Sequence, residues 1–230
     1  MHISFTRLSL AVAFTMISGA SIASATTIPI SNPSFETPVQ SCVGCYTLFT
    51  AIPGSPWVTA LGLASVWRPT VGAGQEFAAL PDGNQITPIG FSGAGSEIYQ
   101  DLSATLLANT TYTLSFYVGQ RTDYAFGGYN VSLEAKNGGG LTVLASDSGG
   151  APAPGLFVQR NIVFKSGSSP QIGQPLRIDI STPAGNNQAS FDLFALTTSN
   201  SSSTPEPGSL ALGASGLLLL AGALRRIRQD

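Results

Sequence analysis

A two-residue alternation of apolar and polar side chains is the feature that most constrains the fold. In TYTLSFYVG, residues 111–119, aromatic and aliphatic side chains fall on one face of an extended chain and hydroxyl-bearing ones mostly on the other. PLRIDIS, residues 175–181, repeats the pattern. No stretch of useful length has the 3.6-residue period of a helix. The alternation therefore predicts strands with one buried face.

Seven segments show this pattern, and clusters of glycine, proline, serine and asparagine separate them. The predicted strands are 96–102, 111–118, 129–135, 141–145, 157–164, 175–181 and 190–196. Short strands joined by such turns are typical of an all-β sandwich or jelly roll. About 175 residues lie between the chain ends, which suits one domain, and we place this β-sandwich at residues 26–198.

Charge argues against nucleic acid as a partner. Only 10% of the residues are charged. Within residues 26–204, six Lys and Arg face ten Asp and Glu, so this part carries about −4. A nucleic-acid surface needs clustered cations. Low charge with many turn-forming and β-branched residues instead indicates an exported β protein.

Both chain ends resemble targeting segments. Residues 1–25 combine Arg7, an apolar run and small residues at 23–25, the build of a signal peptide helix that would be cut after Ala25. A first membrane helix is the alternative, but the run is short and interrupted. At the other end we predict a Ser/Pro linker at 199–208, a short transmembrane helix at 209–224 and a basic cytoplasmic tail at 225–230.

The tail resembles the PEP-CTERM sorting signal of Gram-negative bacteria. The motif consists of Pro205, Glu206 and Pro207, followed by the apolar run and then Arg225 and Arg226. The resemblance implies signal peptidase and an exosortase as partners, transient residence in the inner membrane, and release to the cell surface or extracellular matrix. A plain C-terminal anchor is the alternative.

The domain itself resembles the galactose-binding-like jelly roll of carbohydrate-binding modules. The similar pieces are SNPSFETP, PDGNQ, SEIYQDL, TYTLSFYVGQR and ASFDLFAL, spread over most of residues 28–196. The resemblance implies that the first and last strands are neighbours and that Glu36 and Asp192 hold one structural Ca²⁺ between them. Otherwise Glu36 points to solvent and Asp192 caps a strand end.

Aromatic faces beside planar polar groups are what a sugar-binding site needs. The stretch GQRTDYAFGGYN and one tryptophan provide them, and the resulting candidate ligand residues are Trp67, Arg121, Asp123, Tyr124, Tyr129 and Asn130. The alternative is that these aromatic residues pack in the core.

Cys42 and Cys45 are the two cysteines. A redox motif needs an α/β setting and a zinc site needs four ligands, so in an oxidising compartment we expect a local disulfide.

The single histidine is His2, which the predicted cleavage removes. Without imidazole a Ser–His–Asp site cannot form, and the remaining catalytic alternative is a weak glycosidase using two of Glu76, Asp82, Glu97 and Asp101. The sequence thus favours a non-catalytic exported protein that binds or accompanies extracellular polysaccharide. A structural or adhesive matrix protein without a sugar site is the alternative.

Overall fold

Two antiparallel β-sheets face each other across one hydrophobic core in this computed structural model. The structure describes residues 25–91, 93–185 and 187–200. Within these ranges the strands are β1 (Ala25–Ile28), β2 (Tyr46–Leu48), β3 (Val58–Leu61), β4 (Leu63–Trp67), β5 (Thr87–Gly90), β6 (Ser96–Thr105), β7 (Thr110–Gly119), β8 (Asn130–Asn137), β9 (Gly140–Asp147), β10 (Phe157–Lys165), β11 (Pro175–Thr182) and β12 (Gln188–Asn200). One 3₁₀ turn spans Phe49–Ala51.

The larger sheet has seven strands in the order β10-β7-β12-β5-β4-β2, and β1 also pairs with β12. The smaller sheet has five strands in the order β3-β6-β11-β8-β9. Because β1 pairs with the end of β12, with Ala25 opposite Ser199, the first and last strands are neighbours. The described residues therefore close into a sandwich in which β12, the longest strand, is central.

The core lies between the sheets and is built from the alternating residues. Tyr112, Leu114 and Phe116 on β7 have no exposed surface. Phe116 stacks on Phe194 of β12 with ring centroids 5.3 Å apart, and Phe194 in turn contacts Trp57. Burying such side chains is the main favourable contribution to folding.

A second, smaller cluster covers part of the outer face of the seven-stranded sheet. Trp67 on β4 packs against Phe77 and Ile86, and Phe157 of β10 lies against Phe77 with ring centroids 4.7 Å apart. Phe77 belongs to the connection between β4 and β5, so this connection folds back over the sheet. It buries side chains that would otherwise face solvent.

The all-β sandwich and the seven strands predicted from the alternation are confirmed. The five strands β1–β5 were missed, because segments of three to five residues are too short to show a period. Thr87–Gly90 is moreover buried at every position, so it cannot alternate.

The predicted signal peptide helix, the transmembrane helix at 209–224 and the sorting motif lie outside the described residues. Among the described residues no helix has the length and apolar character that a membrane crossing requires. Strand β12 continues to Asn200, which is two residues into the predicted linker.

Candidate active site

A cleft of about 440 Å³ opens on the outer face of the seven-stranded sheet. Strands β2, β4 and β5 form its floor, because their pairing puts Tyr46 beside Trp67 and Leu48 beside Ser65. The lining residues are Gly44, Tyr46, Leu48, Leu63, Ala64, Ser65, Trp67, Glu76, Pro88, Phe91 and Arg121. An apolar concavity with a few polar groups is the usual form of a small-molecule site.

Large apolar side chains at this cleft remain in contact with solvent. Tyr46 is 64% exposed, Leu63 is 42% exposed and Phe91 is 37% exposed. Phe91 also meets Tyr124 edge-on, with ring centroids 4.8 Å apart. A contiguous exposed apolar surface on a small protein indicates a binding site.

Arg121 is the charged centre of the cleft. Its guanidinium lies 4.6 Å from the centre of the Trp67 ring and 5.6 Å from that of Tyr124. It donates to both carboxylate oxygens of Asp123, at 2.8 and 2.6 Å. Together, the aromatic stacking and the ion pair fix the plane of the guanidinium. The hydrogen bonds from Arg121 lower the pKa of the Asp123 carboxyl.

Glu76 is the carboxylate that lines the cleft. Its Oε1 accepts a hydrogen bond from Nη2 of Arg121 at 3.1 Å. Its Oε2 accepts from both the backbone N–H and the hydroxyl of Thr70, each at 2.6 Å. Three donors thus hold the carboxylate in one orientation. Such a group can accept a hydrogen bond or a proton from a bound ligand.

Two buried polar side chains lie on the same face of β12, near Arg121. Gln188 is 3% exposed, and its Oε1 accepts from Nη1 of Arg121 at 3.2 Å. The Nε2 of Gln188 and the hydroxyl of Ser190 are buried and have no hydrogen-bond partner among the described residues. Unsatisfied buried donors are costly in a protein and mark positions where a ligand or water completes the bonding.

The structure divides the predicted ligand residues into two groups. Trp67, Arg121, Asp123 and Tyr124 come together at the cleft, as the contacts above show. Tyr129 does not join them. It is 5% exposed and packs edge-on against Phe116 and Phe191 in the core.

The hydroxyl of Tyr129 is used for structure rather than for a ligand. It donates to Oδ2 of Asp147 at 2.5 Å, and Asp147 also binds the guanidinium of Arg160. Burial and the Asp147 carboxylate raise the pKa of Tyr129 to about 12. Asn130, the next residue, lies on the other sheet, opposite Ser181 of β11. Tyr129 and Asn130 are thus close to Tyr124 in sequence, but neither of them belongs to the cleft.

Glu36 and Asp192, the predicted calcium ligands, lie on either side of one loop. Oε1 of Glu36 accepts from the backbone N–H groups of Asn84 and Gln85, at 2.8 Å each, and Oδ2 of Asp192 accepts from that of Asp82 at 3.1 Å. Asp192 is fully buried. Burial, followed by the charges of Asp82 and Glu36, raises its pKa to about 8.

This environment fits a bound cation, because a fully buried carboxylate with acidic neighbours gains from positive charge. Among the residues the structure describes, however, no group of three or more His, Cys, Asp or Glu side chains is arranged to hold a metal ion. Any Ca²⁺ here would need backbone oxygens or water for most of its ligands.

The two cysteines border the cleft. The structure joins Cys42 and Cys45 by a disulfide. Within the loop that they close, Gly44 donates its N–H to the carbonyl of Arg68 at 2.6 Å, and Arg68 donates to the carbonyl of Cys45 at 3.0 Å. The loop is therefore fixed to the end of β4, where it forms one wall of the cleft.

Sequence reasoning missed most of the cleft. Tyr46, Leu63 and Phe91 gave no signal, because they belong to short strands and connections that meet only in the folded sheet. Gln188 begins β12, two residues before the predicted strand at 190–196. Glu76 was considered only as a member of a glycosidase pair. Its spacing of six residues from Thr70 could have indicated a local hydrogen bond, but not a cleft.

Solved structures of cyclases share this architecture. The apo form of a cyclase from Fischerella sp. is 26% identical, with a TM-score of 0.64, covering 76% of this chain and 96% of that one. The Stig cyclase Fisc from Fischerella sp. TAU, solved with (3Z)-3-(1-methyl-2-pyrrolidinylidene)-3H-indole, is 27% identical with a TM-score of 0.64 and coverages of 76% and 98%. A cyclase from Fischerella sp. TAU, solved with 4-(1H-indol-3-yl)butan-2-one, is 27% identical with a TM-score of 0.62 and coverages of 75% and 97%. The comparison with curated proteins finds no match.

A protein-family model described as HpiC1-like, HpiC1 cyclase, matches residues 26–197. This match overturns three expectations from the sequence. The identification as a PEP-CTERM protein with a carbohydrate-binding-module-like domain is wrong, since it relied on a short tail and on brief, permissive motifs. The expected non-catalytic, polysaccharide-associated role is wrong as well. So is the inference that the protein is no enzyme, because missing histidine excludes imidazole chemistry only. The chain belongs to the HpiC1-like family.

Proposed function

We propose that this protein is a cyclase that binds a flat, indole-type substrate in the cleft of the seven-stranded sheet. The observation on which the proposal depends is the meeting of an aromatic, apolar floor with the Arg121–Glu76 pair. The exposed rings of Tyr46 and Phe91 are available to a planar ligand, while Trp67 lies buried beneath Arg121. Two related cyclases have been solved with indole compounds, which supports the same ligand class here.

The residues of the cleft have distinct proposed roles. Glu76 accepts a hydrogen bond from the ring N–H of the substrate and takes its proton, which raises electron density on the ring carbon that bonds to the unsaturated side chain as a π bond of that side chain breaks. Arg121 orients Glu76 and stabilises negative charge that develops nearby. A cyclisation of this kind rearranges bonds within one molecule, and the proton that leaves the ring is returned to the second carbon of the broken side-chain π bond. The reaction therefore needs no co-reactant.

Binding and turnover test this proposal separately. Titration calorimetry with 4-(1H-indol-3-yl)butan-2-one should detect binding to residues 26–200, and Tyr46→Leu should weaken it at least tenfold because an exposed stacking surface is lost. A panel of 3-substituted indoles with unsaturated side chains should yield a product of unchanged mass and altered retention time. Glu76→Gln should lower that rate at least a hundredfold while binding falls less than tenfold.

Asp101→Asn provides the matched control, since this exposed carboxylate lies on the other sheet and binds Arg177 and Lys136. It should leave both readouts within twofold of the wild type. Absence of binding to every indole at millimolar concentration would rule out the substrate class. Binding that persists with full turnover in Glu76→Gln would remove Glu76 from the mechanism.

We also propose that one Ca²⁺ binds between Glu36 and Asp192. The support is the fully buried Asp192 carboxylate between two acidic neighbours. The ion would stabilise the junction of the 82–85 loop with β12 and take no part in cyclisation. Thermal melting at pH 8 in Ca²⁺ and in EGTA tests this, with a higher midpoint expected in Ca²⁺. An identical midpoint would exclude a stabilising site.

We also propose that residues 1–25 direct export through the inner membrane and are removed after Ala25. Residues 1–24 lie outside the described ranges. N-terminal sequencing of the protein from its native cells should begin at Thr26. A native chain that still begins at Met1 would contradict export by this segment.

A further inference from the structure

One wall of the cleft is carried by a short edge strand of the seven-stranded sheet. Strand β2 has three residues and stands at the end of the strand order, so within the described chain it pairs with β4 alone. It contributes Tyr46 and Leu48 to the cleft, and Gly44 from the preceding turn lines the cleft as well. A three-residue edge strand is held by few hydrogen bonds, so the turn before it determines how firmly this wall is held.

The turn at residues 42–45 is bound to the end of β4 through its backbone. Gly44 donates its N–H to the carbonyl of Arg68 at 2.6 Å, and the N–H of Arg68 donates to the carbonyl of Cys45 at 3.0 Å. Within the turn, the N–H of Cys45 donates to the carbonyl of Cys42 at 3.2 Å. These bonds continue the pairing of β2 with β4 by one step, so the turn and the wall are one structural unit.

Gln40, upstream of the turn, is an anchored point. It is 5% exposed, and its backbone N–H donates to Oε1 of Gln85, which is 1% exposed. The Oε1 of Gln40 accepts from the hydroxyl of Thr47 in β2 at 3.1 Å. Cys42 follows Gln40 by two residues, and Cys45 immediately precedes β2. The disulfide between the two cysteines therefore closes the connection from the anchored point to the wall, and it limits the conformations that the turn can adopt.

This disulfide can be reached from solvent. Cys42 is exposed, Cys45 is half-buried, and Val43 between them is 53% exposed. Accessible disulfides exchange with thiolates, whereas disulfides enclosed in a core are protected from them. The covalent bond that restrains the wall of the cleft is thus also a bond on which an external thiol can act.

We propose that the Cys42–Cys45 disulfide is an exchange-active site and that the cleft is complete only while this disulfide is closed. In reduction, a thiolate of an external dithiol attacks Sγ of Cys42, the S–S bond breaks, and Sγ of Cys45 leaves with the electron pair. The second thiol of the reductant then displaces Cys42, so the dithiol is oxidised to its own disulfide and both cysteines end as thiols. Oxidation is the reverse, with the disulfide form of a dithiol protein or small molecule as the electron acceptor.

This regulation rests on the proposed function of the cleft, because the ligand that it controls is the indole-type substrate. In the reduced chain the turn gains conformational freedom, so Tyr46 no longer has a fixed position against a planar ring. An exported chain meets disulfide-forming oxidants only outside the cytoplasm. The protein therefore binds its substrate weakly before export and more tightly after it.

Dithiothreitol added to the native, folded protein at pH 8 tests the proposal. Alkylation with iodoacetamide and mass measurement should show that both cysteines open within minutes without denaturant. Hydrogen exchange without ligand should show at least tenfold lower protection of the amides of Gly44 and Arg68, whereas Leu114 and Phe116 in β7 keep theirs. Affinity for 4-(1H-indol-3-yl)butan-2-one should fall at least fivefold and return on reoxidation with oxidised glutathione.

Two variants separate the effect of the disulfide from that of the reagent. The protein that combines Cys42→Ser with Cys45→Ser should have the indole affinity of the reduced wild type, and dithiothreitol should not change it. Tyr46→Leu tests the route, because it removes the ring that the turn positions. Reduction should therefore change the affinity of Tyr46→Leu less than twofold.

Protection of Gly44 and Arg68 that does not change on reduction would overturn the proposal, and so would a disulfide that opens only in denaturant. An indole affinity that stays within twofold while this protection is lost would overturn it as well. Absence of indole binding in both redox states, together with lost protection, would instead contradict the proposed ligand and support the redox dependence of the wall.

Discussion

At the scale of single residues, neighbours determine what a side chain does more than its chemical type does. Arg121 and Arg160 are both guanidinium groups paired with an aspartate. Arg121 lies over Trp67 in an open cleft. Arg160 instead binds Asp147, which also accepts the hydrogen bond of the buried Tyr129. Only the first arrangement leaves polar and aromatic surface to a ligand. The same distinction separates Tyr124 from Tyr129.

Tyr129→Phe tests this distinction. We expect a loss of about 1 kcal/mol in the free energy of unfolding, because one hydrogen bond to Asp147 disappears while Arg160 keeps that carboxylate paired. Affinity for an indole ligand should not change, since Tyr129 lies in the core. Urea denaturation and calorimetry measure the two quantities. Tyr117→Phe, which removes a weak surface bond at 3.4 Å, should cost less than 0.5 kcal/mol and is the control.

At the scale of elements, the pairing of β7 with β10 positions the small cluster beside the cleft. Gly119 ends β7, and Phe157 of β10 pairs directly with it. A Cβ atom on Gly119 would meet the Phe157 ring at 2.5–2.7 Å, well inside van der Waals contact. Glycine is therefore needed here for close approach, and not for an unusual backbone angle. Through Phe157 and Phe77 the same contact reaches Trp67.

Gly119→Ala should consequently change the cleft, although Gly119 does not line it, because the Phe157 and Phe77 rings connect it to Trp67. The displaced Phe157 ring loses contact with Phe77, so we expect a decrease of about 1–3 kcal/mol in unfolding free energy and weaker indole binding. Gly150→Ala is the matched control, because a Cβ there meets nothing within 4 Å. A Gly119→Ala protein as stable as the control would show that the ring moves aside without cost.

At the scale of the whole molecule, two buried carboxyls on different sheets set how stability depends on pH. The folded-state pKa values of Asp179 and Asp192 are raised to about 7 and about 8. A raised pKa means that the folded chain holds protons the unfolded chain has released. Both groups therefore favour folding below about pH 4, and that contribution is lost as the pH rises through 7 and 8.

Without Ca²⁺, the free energy of unfolding should therefore fall between pH 5 and pH 8.5. Below pH 4 it should fall again, because Asp101, Asp123 and Asp147 have lowered pKa values and lose their ion pairs when protonated. Urea unfolding across pH 3–9 in EGTA measures this profile. Asp192→Asn should flatten the alkaline slope, and a stability that rises steadily to pH 8.5 in EGTA would contradict the assignment.

Much of the fold was predictable because its longer strands each bury one face. β7 and β11 are eight to ten residues long, so their alternation is visible in the sequence. The adjacency of the first and last strands was expected from a family resemblance, and in the structure β1 pairs with β12. The strands before β6 are short, and what fixes them is pairing with distant partners that no local pattern records.

The sequence by itself determined an all-β sandwich with a low, negative charge and no imidazole beyond His2, because these depend on composition and local period. Tertiary structure alone decided which side chains meet. Arg121 reaches Glu76 across 45 residues, Arg177 reaches Asp101 across 76, and Asp82 reaches Asp192 across 110. Such contacts follow from strand order and register, so the cleft exists only once the sheets have formed.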